Sequence, residues 1–179
     1  EDRDELLGSF PEKGIEYVIN IGASLSSTES SIALAEKYPY VYAAAGVHPS
    51  DTAELNEGNF DRIRKACLHE KTVTVGEIGL DYYWPEPDRD IQKKWFIRQL
   101  ELAKELDMPV IVHERDAHED GMNIIRQFPT VKGVFHCYSG SAEMAKQLVK
   151  LGWYIGFTGV LTFKNARKAV ETARAIPLD

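Results

Sequence analysis

The stretch TVTVGEIGLDYY, residues 72–83, decides the fold. It begins with a β-branched run, Thr72-Val73-Thr74-Val75, and passes through Gly76 to Glu77, with Asp81 four residues on. Such residues suit a pleated, half-buried surface, so the stretch predicts a buried strand ending at a carboxylate. A carboxylate there is costly unless a metal ion, an arginine or a set of hydrogen bonds pairs with it. The rest of the chain has to supply that partner.

Outward from this strand, the same unit recurs. Strands are expected over 15–21, 40–47, 72–78, 109–112, 133–135 and 153–157. Helices follow them over about 27–37, 59–70, 88–106, 117–128, 141–151 and 165–175, the first capped by Ser26 or Ser27. Before the first strand, Leu6, Leu7 and Phe10 sit at helical spacing, with Gly14 as a C-cap. About six strand–helix units at this interval imply right-handed βαβ crossovers and a mainly parallel sheet. The pattern alone allows an open doubly wound sheet or a closed barrel. Neither a GxGxxG nor a GxxxxGK[ST] fingerprint is present.

Composition narrows the class. At 179 residues, 44% hydrophobic and 27% charged, the chain is sized for one sizeable core, read as a single domain over 1–179. No apolar run reaches spanning length, and EDRDELLGSF is no secretory signal, so no membrane is expected. Cys67 and Cys137 form no CxxC and are read as free thiols in a reducing cytoplasm. The net charge of −7 speaks against binding nucleic acid by bulk electrostatics. A metal centre and a few local bases could still supply positive charge where it is needed.

The chemistry sits at the strand ends. Four successive strands finish at His48, Glu77, His113 and His136, which takes in three of the five histidines. In a parallel βα barrel all strand C-termini open on one face, where the loops build the site. Taken singly, each has a plain structural reading: His48 closes a turn before Pro49, Glu77 pairs with Arg115, and His113 and His136 are hydrogen-bonded core groups. Taken together, they predict a shared site of imidazole and carboxylate, suited to zinc, manganese or iron, or to magnesium if oxygens predominate. Arg115 is either an anion clamp or one arm of a salt bridge, and Asp81 either orients a metal-bound histidine or closes a turn. Expected outside the site are His69 at a helix end, His118 facing solvent, and Cys137 turned away from His136 by strand alternation.

Five segments in order, GVHPSD (46–51), VGEIGLDYY (75–83), PVIVHERDAHED (109–120), FHCYSGS (135–141) and YIGFTG (154–159), resemble the motifs of TatD-family metal-dependent hydrolases. The resemblance implies a (β/α)8 TIM-type barrel of the amidohydrolase kind, with about six of its eight βα units in this chain. It implies one or two divalent metal ions (Mg, Mn or Zn) and deoxyribonuclease activity that removes nucleotides from DNA ends. It further implies that Glu77 is the catalytic carboxylate and a metal ligand, bridging when two ions bind. His113 and His136 would be metal ligands, and His48 and Arg115 would bind the substrate phosphate. The family's opening His-x-His strand and late Glu-Thr-Asp strand have no counterpart between Glu1 and Asp179, so strands two to seven are expected here. Two other readings stand beside this one. One is a hydrolase of C–N or ester bonds in a small molecule, since Arg115, Lys164 and Arg167 are the only obvious bases for a nucleic-acid groove. The other is that this chain by itself is inactive, its open edges paired with another copy.

Overall fold

The computed structural model describes residues 2–178. Six parallel strands lie in sequence order: β1 (Val18–Ile21), β2 (Val41–Ala45), β3 (Thr72–Asp81), β4 (Val110–Arg115), β5 (Gly133–Phe135) and β6 (Tyr154–Ile155). Helix α1 (Arg3–Gly8) precedes them. The crossovers carry α2 (Leu25–Lys37), α3 (Glu57–Cys67), α4 (Arg89–Leu106), α5 (His118–Ile125) and α6 (Ala142–Lys150), and α7 (Arg167–Ala175) follows β6. Every strand is joined to its sequence neighbour alone, so the sheet is an open arc of consecutive βα units with β1 and β6 at its edges. This is the expected α/β architecture, a partial barrel rather than a sheet with strands wound to both sides of the first.

Local chemistry explains the boundaries. Helix α2 starts two residues earlier than expected, because Ser24 and Ser27 form a reciprocal capping box. Asn56 and Asn59 do the same for α3, and Asp88 caps α4. The N-terminal helical region divides into α1 and a 3-10 turn over Pro11–Lys13, closed by Gly14 at φ 75°. The expected strand 15–21 shortens to β1, and 153–157 shortens to two residues. The opposite happens where the site is built: β3 extends to Asp81 and β4 to Arg115, paired Gly79 to His113 and Asp81 to Arg115. Glu77 therefore lies within β3, at an irregularity in the register between Val75 and Ile78.

The main core lies between the sheet and the helices and includes the fully buried Phe96, Phe135, Ile63, Leu80, Leu100 and Leu148. A smaller cluster of Leu7, Ala35, Val41 and Ala43 seats α1 and α2 on the β2 side.

Two buried glutamines on α4, which sequence reading passed over, hold the strand ends that carry the site. Gln99 accepts from the Val47 N–H at 2.8 Å and donates to the Val47 and Trp95 carbonyls at 3.1 and 3.2 Å. Gln92 accepts from the Asp81 N–H at 2.8 Å and donates to the Asp81 and Pro87 carbonyls. Each supplies backbone pairing that no neighbouring strand provides. Replacing Gln99 by leucine keeps the volume and leaves the Val47 peptide unpaired. The expected cost is about 2 kcal/mol, read as a fall of about 6 °C in Tm. A variant as stable as the parent would contradict this role.

Candidate metal centre

At the C-terminal mouth of the arc, β2, β3 and β4 bring His48, Glu77 and His113 together. One donor atom from each lies within 4.8 Å of the others. The rings of His48 and His113 meet edge to face, with centroids 4.2 Å apart. His113 Nδ1 lies 3.3 Å from Glu77 Oε1, and its Nε2 lies 3.0 Å from Asp81 Oδ2. The partner of the buried carboxylate is thus an imidazole, not Arg115.

Each ring is oriented from behind. The Ser50 hydroxyl donates to Asp51 Oδ2 at 2.9 Å and lies 2.7 Å from His48 Nδ1. The Ser50 N–H donates to the same Nδ1 at 3.2 Å, so both polar groups of Ser50 hold that edge of the ring. Asp81, buried and nearly dry, fixes His113 through Oδ2 and accepts from the Tyr83 N–H through Oδ1 at 3.0 Å. It therefore fills both roles considered from the sequence, orienting a histidine and closing a turn. Carboxylate–imidazole pairs of this kind hold ligating histidines in place.

The charges follow from the geometry. Burial opposes ionisation of Glu77, but the His113 bond and the charges of His113, His48 and His136 outweigh it and hold the carboxyl below its ordinary range. Burial also opposes protonation of His113, yet Glu77 and Asp81 raise its pKa above the ordinary value. Burial, and then the His113 charge, lower that of His48. The cluster thus favours the protonated form of His113 over that of His48. The linkage has two signs. Stabilisation from the raised His113 is complete below pH 6.5 and is lost as pH rises through its folded value. Stabilisation from the lowered Glu77 is present above pH 4.5 and is lost as pH falls through its folded value. Both are at full strength between those pH values, and a cation binding to the ring nitrogens must displace the His113 proton.

The donors fit a divalent cation. Nitrogen and oxygen ligands stand about 2.1 Å from such an ion, so any two are at most about 4.2 Å apart. Small side-chain adjustments bring a set already within 4.8 Å to that limit. Two imidazoles and a carboxylate are a borderline donor set that accepts zinc, manganese or iron, and oxygens from water or phosphate would widen it to magnesium.

The remaining expected residues fall in different places. His136 follows β5, half-buried, with its N–H on the Val112 carbonyl at 2.9 Å. Its charge reaches Glu77, but its ring stands outside the three-donor group. Arg115 makes no ion pair with Glu77; its guanidinium lies 3.6 Å from the centre of the Tyr83 ring. Cys137 departs from expectation: a left-handed φ of 47° breaks the strand alternation, exposes the residue and brings Sγ to 3.1 Å from His136 Nε2. His118 stays outside the site with its side chain 41% exposed, as expected, and its Nδ1 lies 2.5 Å from the buried Glu114. His69 stays on the surface beside Glu36, as expected.

A hydrolytic site organised around a metal ion at the mouth of parallel βα units is the class that fold and donor set define. The family described as TatD related DNase matches residues 1–179, and the chain belongs to it. The uncharacterized metal-dependent hydrolase YabD of Bacillus subtilis (strain 168) is 38% identical over 180 residues, covering 99% of this chain and 71% of that protein. The 3'-5' ssDNA/RNA exonuclease TatD of Escherichia fergusonii is 31% identical over 180 residues, covering 99% and 68%. The crystal structure of YJJV, the TatD homolog from Escherichia coli K12, superposes with a TM-score of 0.91 at 31% identity, covering 99% of this chain and 70% of that one. The protein is a TatD-family metal-dependent hydrolase with a TIM-barrel-like fold.

Proposed function

We propose that the protein hydrolyses phosphodiester bonds in DNA, removing nucleotides from the ends of single strands with a metal-activated water. The observation that carries this reading is the donor group of His48, Glu77 and His113, backed by Asp51 and Asp81, with Arg115 two residues beyond His113 on the same strand face. The exonuclease name of the Escherichia fergusonii relative supports the choice of nucleic acid.

Glu77, His113 and His48 would hold the ion, with His136 beside them to complete its surroundings or to hold a second. Mg, Mn and Zn are the candidates. When bound, the ion supplies Lewis-acid charge to a phosphoryl oxygen and lowers the pKa of water toward neutrality. Glu77 has Oε1 on His113 and keeps Oε2 for the ion or for the proton of the attacking water. Asp81 and Asp51 keep the two rings from turning, so no reorientation is needed as charge develops. Arg115, with its guanidinium over the Tyr83 ring, would donate to non-bridging phosphate oxygens. His48 would serve as a further ligand or bind the substrate phosphate. Among the described residues no helix is long and apolar enough to cross a membrane, and a cytoplasmic setting suits the two free thiols.

The test is an end-labelled single-stranded oligonucleotide incubated with the purified protein. Stepwise shortening that EDTA abolishes and Mg²⁺, Mn²⁺ or Zn²⁺ restores is the expected result. No shortening with any of the three ions, alongside turnover of amides or lactones, would replace the nuclease by a small-molecule hydrolase.

A further inference from the structure

Just outside the metal centre, β3 runs into an aromatic corner. Tyr83 and Trp84 are 53% and 58% exposed, and their rings meet edge to face at 88° with centroids 4.9 Å apart. The Arg115 guanidinium covers one face of Tyr83 at 3.6 Å. Two adjacent exposed aromatics in contact, one of them under an arginine, are a surface, not scattered apolar residues of the kind every protein shows. We propose that Tyr83, Trp84 and Arg115 form a ledge on which one unpaired nucleobase stacks while its phosphate lies at the metal centre. This inference rests on the nuclease reading above and assigns what selects the substrate.

Position supports it. Asp81 ties the ledge to the centre, since one carboxylate oxygen holds the Tyr83 N–H and the other holds His113 Nε2. Arg115 lies one pleat beyond His113 on β4, a step of about 7 Å, so a single nucleotide can touch both.

Charge supports it as well. With a net charge of −7, attraction to a polyanion cannot come from the protein as a whole. Stacking on an aromatic face owes nothing to net charge, and an arginine plane accepts a base in the same way. A base within a duplex has both faces covered by its neighbours, so the ledge takes single strands and frayed ends.

The test measures binding rather than turnover. Trp95 and Trp153 are buried at 2% and 4% exposure, so solvent-side quenching of intrinsic fluorescence reports Trp84. A (dT)6 oligonucleotide is expected to quench the wild type, and an abasic oligonucleotide of equal length to leave it bright. By anisotropy of the labelled oligonucleotides, Trp84→Ala should weaken (dT)6 about tenfold, within the worth of one stacked base. Trp84→Phe should restore most of the loss, and neither variant should alter abasic binding. Equal losses on both oligonucleotides, or none on (dT)6, overturn the ledge. If wild type shortens DNA in the EDTA-sensitive way while Trp84→Ala binds (dT)6 normally, the ledge fails and the nuclease reading stands. If Trp84-dependent binding occurs without any shortening, the nuclease reading fails and the ledge stands.

Discussion

Glu77→Ala is expected to lower metal-dependent cleavage of single-stranded DNA by about 10³-fold, with the fold retained. Glu77 is the one carboxylate in the three-donor group, so its loss removes the negative charge that would contact a divalent ion there directly. An ion at such a centre contributes several kcal/mol of charge stabilisation, and about 4 kcal/mol is a thousandfold in rate. The substitution also takes from His113 the bond that holds its Nδ1, and the ring is left to Asp81 alone. Stability should fall only modestly, because burial works against the Glu77 charge and offsets part of what the His113 bond and the nearby imidazole charges contribute. Rates on an end-labelled oligonucleotide, beside a thermal melt of the same preparation, check both halves. Cleavage within threefold of wild type in a folded Glu77→Ala protein would remove Glu77 from the mechanism.

Gly79→Ala should act through the backbone instead. Gly79 has φ 141°, and a Cβ there would stand 2.0 Å from the His113 carbonyl oxygen. No side chain can yield, since the obstacle is the main chain of β4 itself. Strain of both kinds costs at least about 3 kcal/mol, or a Tm lower by about 10 °C for a chain of this size. Because β4 must shift to make room, His113 moves with it, and a displacement near 1 Å at a reacting centre costs about 10²-fold in rate. Thermal unfolding and cleavage rate should fall together. A Gly79→Ala protein that melts with the wild type would show that β3 and β4 are less tightly registered than described.

The parallel βα plan was legible because each strand is a short β-branched run and each helix has its own period. The grouping of His48, Glu77 and His113 was legible because all follow such runs, and parallel strands open at one end. What escaped was pairing beyond the apparent strand ends. Glu77 read as the end of its strand and Asp81 as a loop carboxylate beyond it, yet β3 continues through both, because β4 extends alongside as far as Arg115. The roles of Gln92 and Gln99 were invisible, since a glutamine on a helix reads as solvent-facing until a strand end in need of hydrogen bonds is placed beside it. Alternation misplaced Cys137, which lies past the end of β5 in a left-handed turn, where the rule no longer holds. Arg115 was read as one arm of a salt bridge or an anion clamp; stacking on Tyr83 depends on a loop conformation that spacing does not encode.

The His48–Glu77–His113 group is proposed as a divalent-metal site. Calorimetric titration of Mn²⁺ into wild type and Glu77→Ala, at two pH values, tests it most directly. The account predicts a saturable site in wild type that releases protons on binding and weakens by up to about tenfold per pH unit once His113 is protonated. It predicts binding at least a hundredfold weaker in Glu77→Ala. Equal affinity in the two proteins, with no proton release, would contradict it.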